Sequence, residues 1–173
     1  MNPRQAVESD AEAIAGIYNQ GISERTATFE TRPRPIQEVR AWFDGLHPII
    51  VVEDGGNVIA FAATSSYRAR DCYAGIAEFS VYVTPEARGR GAGRLAMESL
   101  LDAAAGAGFW KLLSRVFVEN AASRALLASL GFREVGVYEK HGRLNGQWRD
   151  GVIVERLLSA SPDTQRGCGL SLT

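Results

Sequence analysis

Phe79-Ser-Val-Tyr-Val-Thr-Pro-Glu-Ala-Arg-Gly-Arg-Gly-Ala-Gly-Arg94 joins an alternating apolar run to a loop of glycine and arginine, and the loop opens a helical pattern. Residues Ala77 to Val83 alternate as a half-buried strand does, and Thr84-Pro85 stops the ladder because proline has no backbone N–H to donate. From Gly91 onward Leu95, Leu100, Leu101 and Ala104 return at helical spacing, which puts the glycines at a helix N-terminus. The first N–H groups of a helix have no partner within it, and the macrodipole adds about half a positive charge, so phosphate oxygens bind well there. Gly89, Gly91 and Gly93 let the backbone come close to a ligand, while Arg88, Arg90 and Arg94 supply full charges and forked donors. The stretch reads as an anion cradle.

Other readings compete for these letters. Gly91-Ala-Gly93-Arg-Leu-Ala96 fits the dinucleotide fingerprint, but that motif wants a tight turn directly after its strand and an acidic residue about twenty positions on. Several residues intervene after Val83, and no carboxylate falls near the end of the next strand before Glu119. A P-loop needs Gly-Lys-Ser/Thr, which is absent. A solvated turn whose arginines serve solubility stays open on the letters alone. Arg88-x-x-Gly91-x-Gly93, preceded by Val81-x-Val83-x-Pro85, resembles motif A of the GNAT acyl-CoA N-acyltransferases, whose loop holds the coenzyme A pyrophosphate.

The 173 residues suit one domain with a sizeable core. With 19 Lys and Arg against 20 Asp and Glu the net charge is -1, which argues against a broad nucleic-acid footprint. No apolar run approaches the ~20 residues of a membrane span, and Met-Asn-Pro-Arg lacks a signal-peptide core, so the expectation is a cytoplasmic protein without a membrane partner. Cys72 and Cys168 have no C-x-x-C partner, and His47 and His141 are the only histidines, so neither a disulfide framework nor a metal site is expected.

Along the chain, a strand near Arg4 to Val7 precedes Ser9-Asp-Ala-Glu12, a capping-box signature opening a helix with Ile14, Ile17, Tyr18 and Ile22 inward. Thr26 to Pro35 reads as a loop in which Phe29 is either a packing anchor or a ligand contact. Pro35 suits the first turn of a helix carrying Val39, Trp42, Phe43 and Leu46. Residues 48–54 and 57–64 read as a hairpin about Gly55-Gly56. Tyr67, Arg68, Arg70 and Tyr73 then form either an oxyanion-recognising cluster or a solvated hairpin tip. After the cradle a helix runs to about Ala107, a strand from Lys111 to Val118, and a helix from Asn120 to Leu130. Residues 132–138 and 151–158 read as two closing strands with a basic connector between them. The order predicts an α/β (α+β) layer with a mixed, mostly antiparallel sheet in a single domain over 1–158, and a disordered tail over 159–173.

The GNAT resemblance, over about residues 3 to 158, implies a twisted sheet whose central strands splay apart, and acetyl-CoA as co-substrate without a metal. It implies that backbone groups of Val81, Tyr82 and Val83 hold the pantetheine arm, that Gly89, Arg90, Gly91, Ala92, Gly93 and Arg94 with Arg88 hold the pyrophosphate, and that Asn120 reaches the coenzyme. Asn120 is equally an ordinary N-cap. A backbone N–H near Ser80 or Val81 would polarise the thioester carbonyl. An amine attacks only when neutral, and Glu78, two positions before Ser80, is the candidate base through a water relay, unless it pairs with Arg68 or Arg70. The family's usual general acid is a tyrosine where this chain has Leu127, which leaves thiolate protonation to Tyr138, Tyr73 or solvent.

Thr28-Phe29-Glu-Thr31, Arg68-Ala-Arg70 with Tyr73, Ala77-Glu78-x-Ser80-Val81-Tyr82-Val83 and Gly146-x-Trp148-Arg149-Asp150 are similar to segments of the phosphinothricin and arsinothricin N-acetyltransferases. That likeness implies a small anionic amino acid as acceptor, glutamate-like with a phosphinate, arsinate or sulfoximine end, clamped by Arg68 and Arg70 with Phe29 over its aliphatic part. It also implies a homodimer, with Trp148 in a dimer or core contact. Some relatives carry a histidine in place of Asn145 or Arg149, so no histidine-assisted step carries over. Methionine sulfoximine or sulfone, another amine, or a non-catalytic acyl-CoA sensor are the alternatives.

Overall fold

The computed structural model describes residues 1–159, so the tail expected to be disordered lies outside the described residues except for Ser159. Seven strands form one sheet in the order β1-β2-β3-β4-β5-β7-β6. They are β1 (Asn2–Gln5), β2 (Ile49–Asp54), β3 (Asn57–Ser66), β4 (Ile76–Val83), β5 (Lys111–Phe117), β6 (Arg133–Leu144) and β7 (Gln147–Leu157). Every neighbouring pair is antiparallel except β4 and β5, which run parallel, as the expected mixed sheet requires. The helices are α1 (Ala11–Glu24), α2 (Ile36–Arg40), α3 (Ala92–Gly106) and α4 (Ala121–Ser129).

Strand alternation sends neighbouring residues of β2 to two different cores. Ile49 and Val51 face α1 and α2 with Phe61 and Ala63, while Ile50 and Val52 face α3 with Ala60, Ala62 and Phe79. A run apolar on both faces marks a strand covered on both sides. Among the described residues no helix is long and apolar enough to cross a membrane.

Some local expectations give way. Asp10 rather than Ser9 stands at the N-cap position of α1, and its carboxylate reaches back to accept the Val7 N–H at 2.8 Å and N–H groups of both terminal nitrogens of Arg4, with no side-chain bond into α1 itself. The second helix stops at Arg40, because Trp42 and Phe43 follow in turns closed by i to i+3 bonds. The largest difference is in residues 139–150. They are not a connector but the continuation of β6 into a hairpin with β7, closed by Asn145-Gly146 at φ 52 and 75°. Two positive-φ residues of that type make the turn whose twist matches a hairpin, as Gly55-Gly56 does between β2 and β3.

The Arg4–Asp10 contact gives a stability prediction. The Arg4 guanidinium, hydrogen-bonded to a largely buried Asp10, holds that carboxyl below the usual carboxylate range, against the opposing effect of burial. A value lower in the folded than in the unfolded chain stabilises above the ordinary carboxylate range and is lost as pH falls through the depressed value. Asp10→Asn is therefore expected to cost about 1–2 kcal/mol at pH 7. In thermal melts the difference from wild type should narrow below about pH 4, and a gap independent of pH would count against the pairing.

Candidate active site

The parallel pair β4 and β5 is joined only over Ile76–Glu78 and Lys111–Leu113, and beyond those positions the two strands have no ladder between them. The open wedge is a cavity of about 550 Å³, walled by Glu78 to Tyr82 on one arm and Ser114 to Phe117 on the other. A second groove of about 470 Å³ runs from it along the end of β4 to the start of α3, and the two share Ala27, Val81, Tyr82, Asn120 and Ser123.

The register decides which backbone groups face the wedge. Thr84 N–H donates to Ile59 O at 2.9 Å, so with period two Tyr82, Ser80 and Glu78 also turn their backbone groups to β3. Gly75 C=O accepts the Trp110 N–H at 2.8 Å on the other side, so Phe79, Val81 and Val83 point theirs toward β5, where the ladder has ended. Of the three backbone positions expected to hold a ligand, Val81 has both groups free, Val83 keeps its N–H free while its C=O accepts from Arg88, and Tyr82 is turned to β3. The same argument selects Val81 over Ser80 as a carbonyl-polarising N–H. Tyr82 instead contributes its ring, stacked on Phe61 at 5.5 Å and set edge-on to Tyr18 at 5.0 Å. Burial, reinforced by neighbouring Tyr18, pushes the Tyr82 phenol well above its ordinary value, so it stays protonated.

The cradle forms as its sequence requires. Gly89 at φ 71° and Gly91 at φ 89° occupy left-handed backbone, and a Cβ at either would meet open space. Gly91 caps α3, and the first intrahelical bond runs from Leu95 N–H to Gly91 O, leaving the N–H groups of Ala92, Gly93 and Arg94 without a helical acceptor. That donor set suits a diphosphate. Arg88 donates to Val83 O and pairs with Glu24 at 2.7 Å, and Arg94 is held by Glu98 and Ser129. All the expected coenzyme residues line this groove except Arg90, which turns away to Asp54 at 2.8 Å. Asn120 is the N-cap of α4 and also lines the groove. Its Oδ1 accepts the Ser123 N–H as the cap of α4, and its side chain borders groove and cavity alike.

The wedge differs more from expectation. Arg68, Arg70 and Tyr73 line neither cavity. They sit in the turn before β4, at the end where β4 and β5 are closed, with Arg68 over the Tyr67 ring and Tyr67 edge-on to Tyr73. Glu78 pairs with neither of these arginines but with Arg115 of β5, at 2.7 Å. Phe29 does line the cavity while packing edge-on against Phe117 at 4.8 Å. Its loop is shaped by Thr28, whose hydroxyl accepts the Glu30 N–H, and tied to α1 by Asn19, which bonds both backbone groups of Arg34.

Leu127 is buried where a tyrosine was sought, and Tyr138 does not line the cavity. A bulge between Tyr138 and Gly142 brings in His141 instead, with Tyr138 stacked behind it at 4.7 Å. Tyr73 and Tyr138 both lie outside the cavity, and a leaving thiol of pKa about 8.5 needs little help. Sequence reasoning missed Tyr18, Glu30, Arg115 and His141 in the wall. Only the helical spacing of Tyr18 and the odd-numbered alternation of Arg115 with Phe117 could have pointed to them.

Comparison with known proteins agrees with this geometry. Residues 16–132 match the family model described as Acetyltransferase (GNAT) family. The chain is 36% identical to a phosphinothricin N-acetyltransferase of Streptomyces coelicolor, over 90% of this chain and 95% of that one. It is 32% identical to an L-methionine sulfoximine/L-methionine sulfone acetyltransferase of Pseudomonas paraeruginosa, over 85% and 88%. It superposes with a TM-score of 0.87 on a phosphinothricin acetyltransferase from Sinorhizobium meliloti in complex with AcCoA, at 30% identity over 97% of this chain and 94% of that one.

Proposed function

The chain belongs to the acetyltransferase (GNAT) family, and from that premise we propose that it acetylates the α-amine of a small glutamate-like amino acid by direct attack in a ternary complex. It is an acetyl-CoA-dependent N-acetyltransferase of the phosphinothricin and methionine sulfoximine type. The finer reading is an acceptor such as phosphinothricin or arsinothricin, whose acetylation would detoxify it.

The observation that carries the proposal is the split sheet. One continuous hollow runs from the α3 amides to Glu78, with the free backbone groups of Val81 and the free N–H of Val83 between. Acetyl-CoA supplies the activated acetyl carbonyl. The chain supplies the rest. Ala92, Gly93 and Arg94 offer N–H groups, and Arg88 and Arg94 charge, for the diphosphate. Val81 N–H is available to a developing oxyanion, and Glu78, through water, is the acceptor of the ammonium proton. Phe29, Phe117 and His141 give the acceptor an apolar and aromatic wall.

The name of one relative keeps methionine sulfoximine and methionine sulfone as the second reading. A homodimer is part of the proposal too. Val135, Val137 and Trp148, each about half exposed on β6 and β7, are the apolar surface it would cover, and Trp148 is no core contact. Thiol release measured over a panel of phosphinothricin, arsinothricin, methionine sulfoximine, methionine sulfone and simple amines tests the acceptor. Acceleration by the glutamate-like oxyanions above all others is the expected result, and equal acceleration by simple amines would overturn it.

A further inference from the structure

Two charged side chains meet across the opening of the sheet. Glu78 stands at the last position where β4 pairs with β5, and Arg115 stands two residues past the last paired position of β5. Arg115 Nη2 donates to Glu78 Oε2 at 2.7 Å, and the two side chains are 39% and 26% exposed, so water and ligand reach both. The cavity wall contains two carboxylates, Glu30 and Glu78, one histidine and, among the described residues, one permanent cation, Arg115. Glu30 is engaged from behind by Arg34 at 2.8 Å. An amino-acid acceptor brings an ammonium and a carboxylate into this wall. Its ammonium has carboxylates to meet, and Arg115, the one cation that the described residues of this chain set in the wall, is holding the base.

We propose that Arg115 reads the anionic group of the acceptor, and that the exchange of partners this requires frees Glu78 to take the ammonium proton. The inference rests on the acetyl-transfer reading and adds to it a residue and a coupling. A guanidinium offers five N–H donors in a planar fork, of which the Glu78 contact uses one, so a carboxylate or phosphinate can be received bidentately as Arg115 turns from Glu78. With Oε2 released, Glu78 accepts one proton from the ammonium and passes it to water. The amine lone pair then forms the C–N bond at the acetyl carbon. The C–S bond breaks with its electron pair on sulfur, and the second N–H proton ends on the thiolate, giving amide, thiol and one proton to solvent. An amine without the anion leaves Glu78 paired. Such an acceptor is slow in kcat as well as weak in KM.

The test compares an amino acid that serves as acceptor with its α-carboxamide, in wild type, Arg115→Gln and Arg115→Lys, by steady-state thiol release, with acetyl-CoA affinity followed by calorimetry. In wild type the carboxamide is expected to lose about tenfold in kcat besides its rise in KM. In Arg115→Gln the amino acid's KM should rise about 10- to 100-fold, as expected for a lost charge-assisted pair. There the kcat values of acid and amide should converge to within about threefold while acetyl-CoA affinity is kept. Arg115→Lys, a point charge without the fork, should recover part of the preference. A preference for the acid that Arg115→Gln leaves unchanged, or a wild-type difference confined to KM, overturns this proposal alone. Wild-type protein that binds acetyl-CoA yet turns over no amino acid overturns the acetyl-transfer reading and this proposal with it.

Discussion

Glu78→Gln is expected to lower kcat by about 10²- to 10³-fold, within the usual contribution of a positioned general base, with acetyl-CoA affinity within about twofold of wild type. The two halves of that outcome come from the strand register. Glu78 turns its backbone to β3 and its side chain into the wedge, whereas the coenzyme contacts proposed above lie at Val81, Val83 and the start of α3, all farther along the chain. Glutamine keeps the shape and can still accept from Arg115 through its carbonyl oxygen, so the sheet should be undisturbed and the melting temperature unchanged within about 2 °C. What it cannot do is receive a proton. Single-turnover acetyl transfer in Glu78→Gln at saturating acceptor checks this, and a rate within threefold of wild type would remove Glu78 from the proton path.

The cradle was legible because its parts are local. A strand ending in Thr84-Pro85, glycines at positions requiring left-handed backbone and a helical repeat from Leu95 all lie within one short segment, and each constrains the next. The acceptor wall was not legible for the opposite reason. Arg115 meets Glu78 only because two strands distant in sequence part after Leu113, and no periodicity announces where a parallel pair will separate. For Arg68 and Arg70 the letters left the place open, because a cluster of arginine and tyrosine near the central strand carries the same chemistry whichever end of the strand it occupies. Their position before β4 puts them at the closed end. The β6–β7 hairpin was cut short because Lys140 and His141 break the alternation. That break is a bulge, and the bulge delivers His141 to the cavity. Asn145-Gly146 was the available signal, a two-residue turn between strand-like arms.

Helix α1 is coupled to the coenzyme groove at one glycine, and Gly21→Val should expose the coupling. A Cβ at Gly21 would fall 2.7 Å from Tyr82 Cε1 and 2.8 Å from Cδ1. The ring has little room to retreat, since it is stacked on fully buried Phe61 and set against Tyr18. Either α1 lifts from the sheet or Tyr82 moves and carries the backbone of Val81 and Val83 with it. Overpacking of this kind costs about 1–3 kcal/mol, and valine adds more bulk than one methyl while recovering only a few tenths of a kcal/mol in helix propensity over glycine. A net loss of about 2–3 kcal/mol corresponds to a fall in melting temperature of roughly 5–10 °C for a chain of this size. Acetyl-CoA should bind about tenfold more weakly, because the two strand residues flanking Tyr82 border its groove. Gly16→Ala in the same helix supplies the contrast. Nothing lies within 4 Å of a Cβ there, so the substitution should stabilise by about 0.5–1 kcal/mol and leave coenzyme affinity alone. Equal effects of the two substitutions on acetyl-CoA binding would mean that helix propensity, and not the Tyr82 contact, links α1 to the groove.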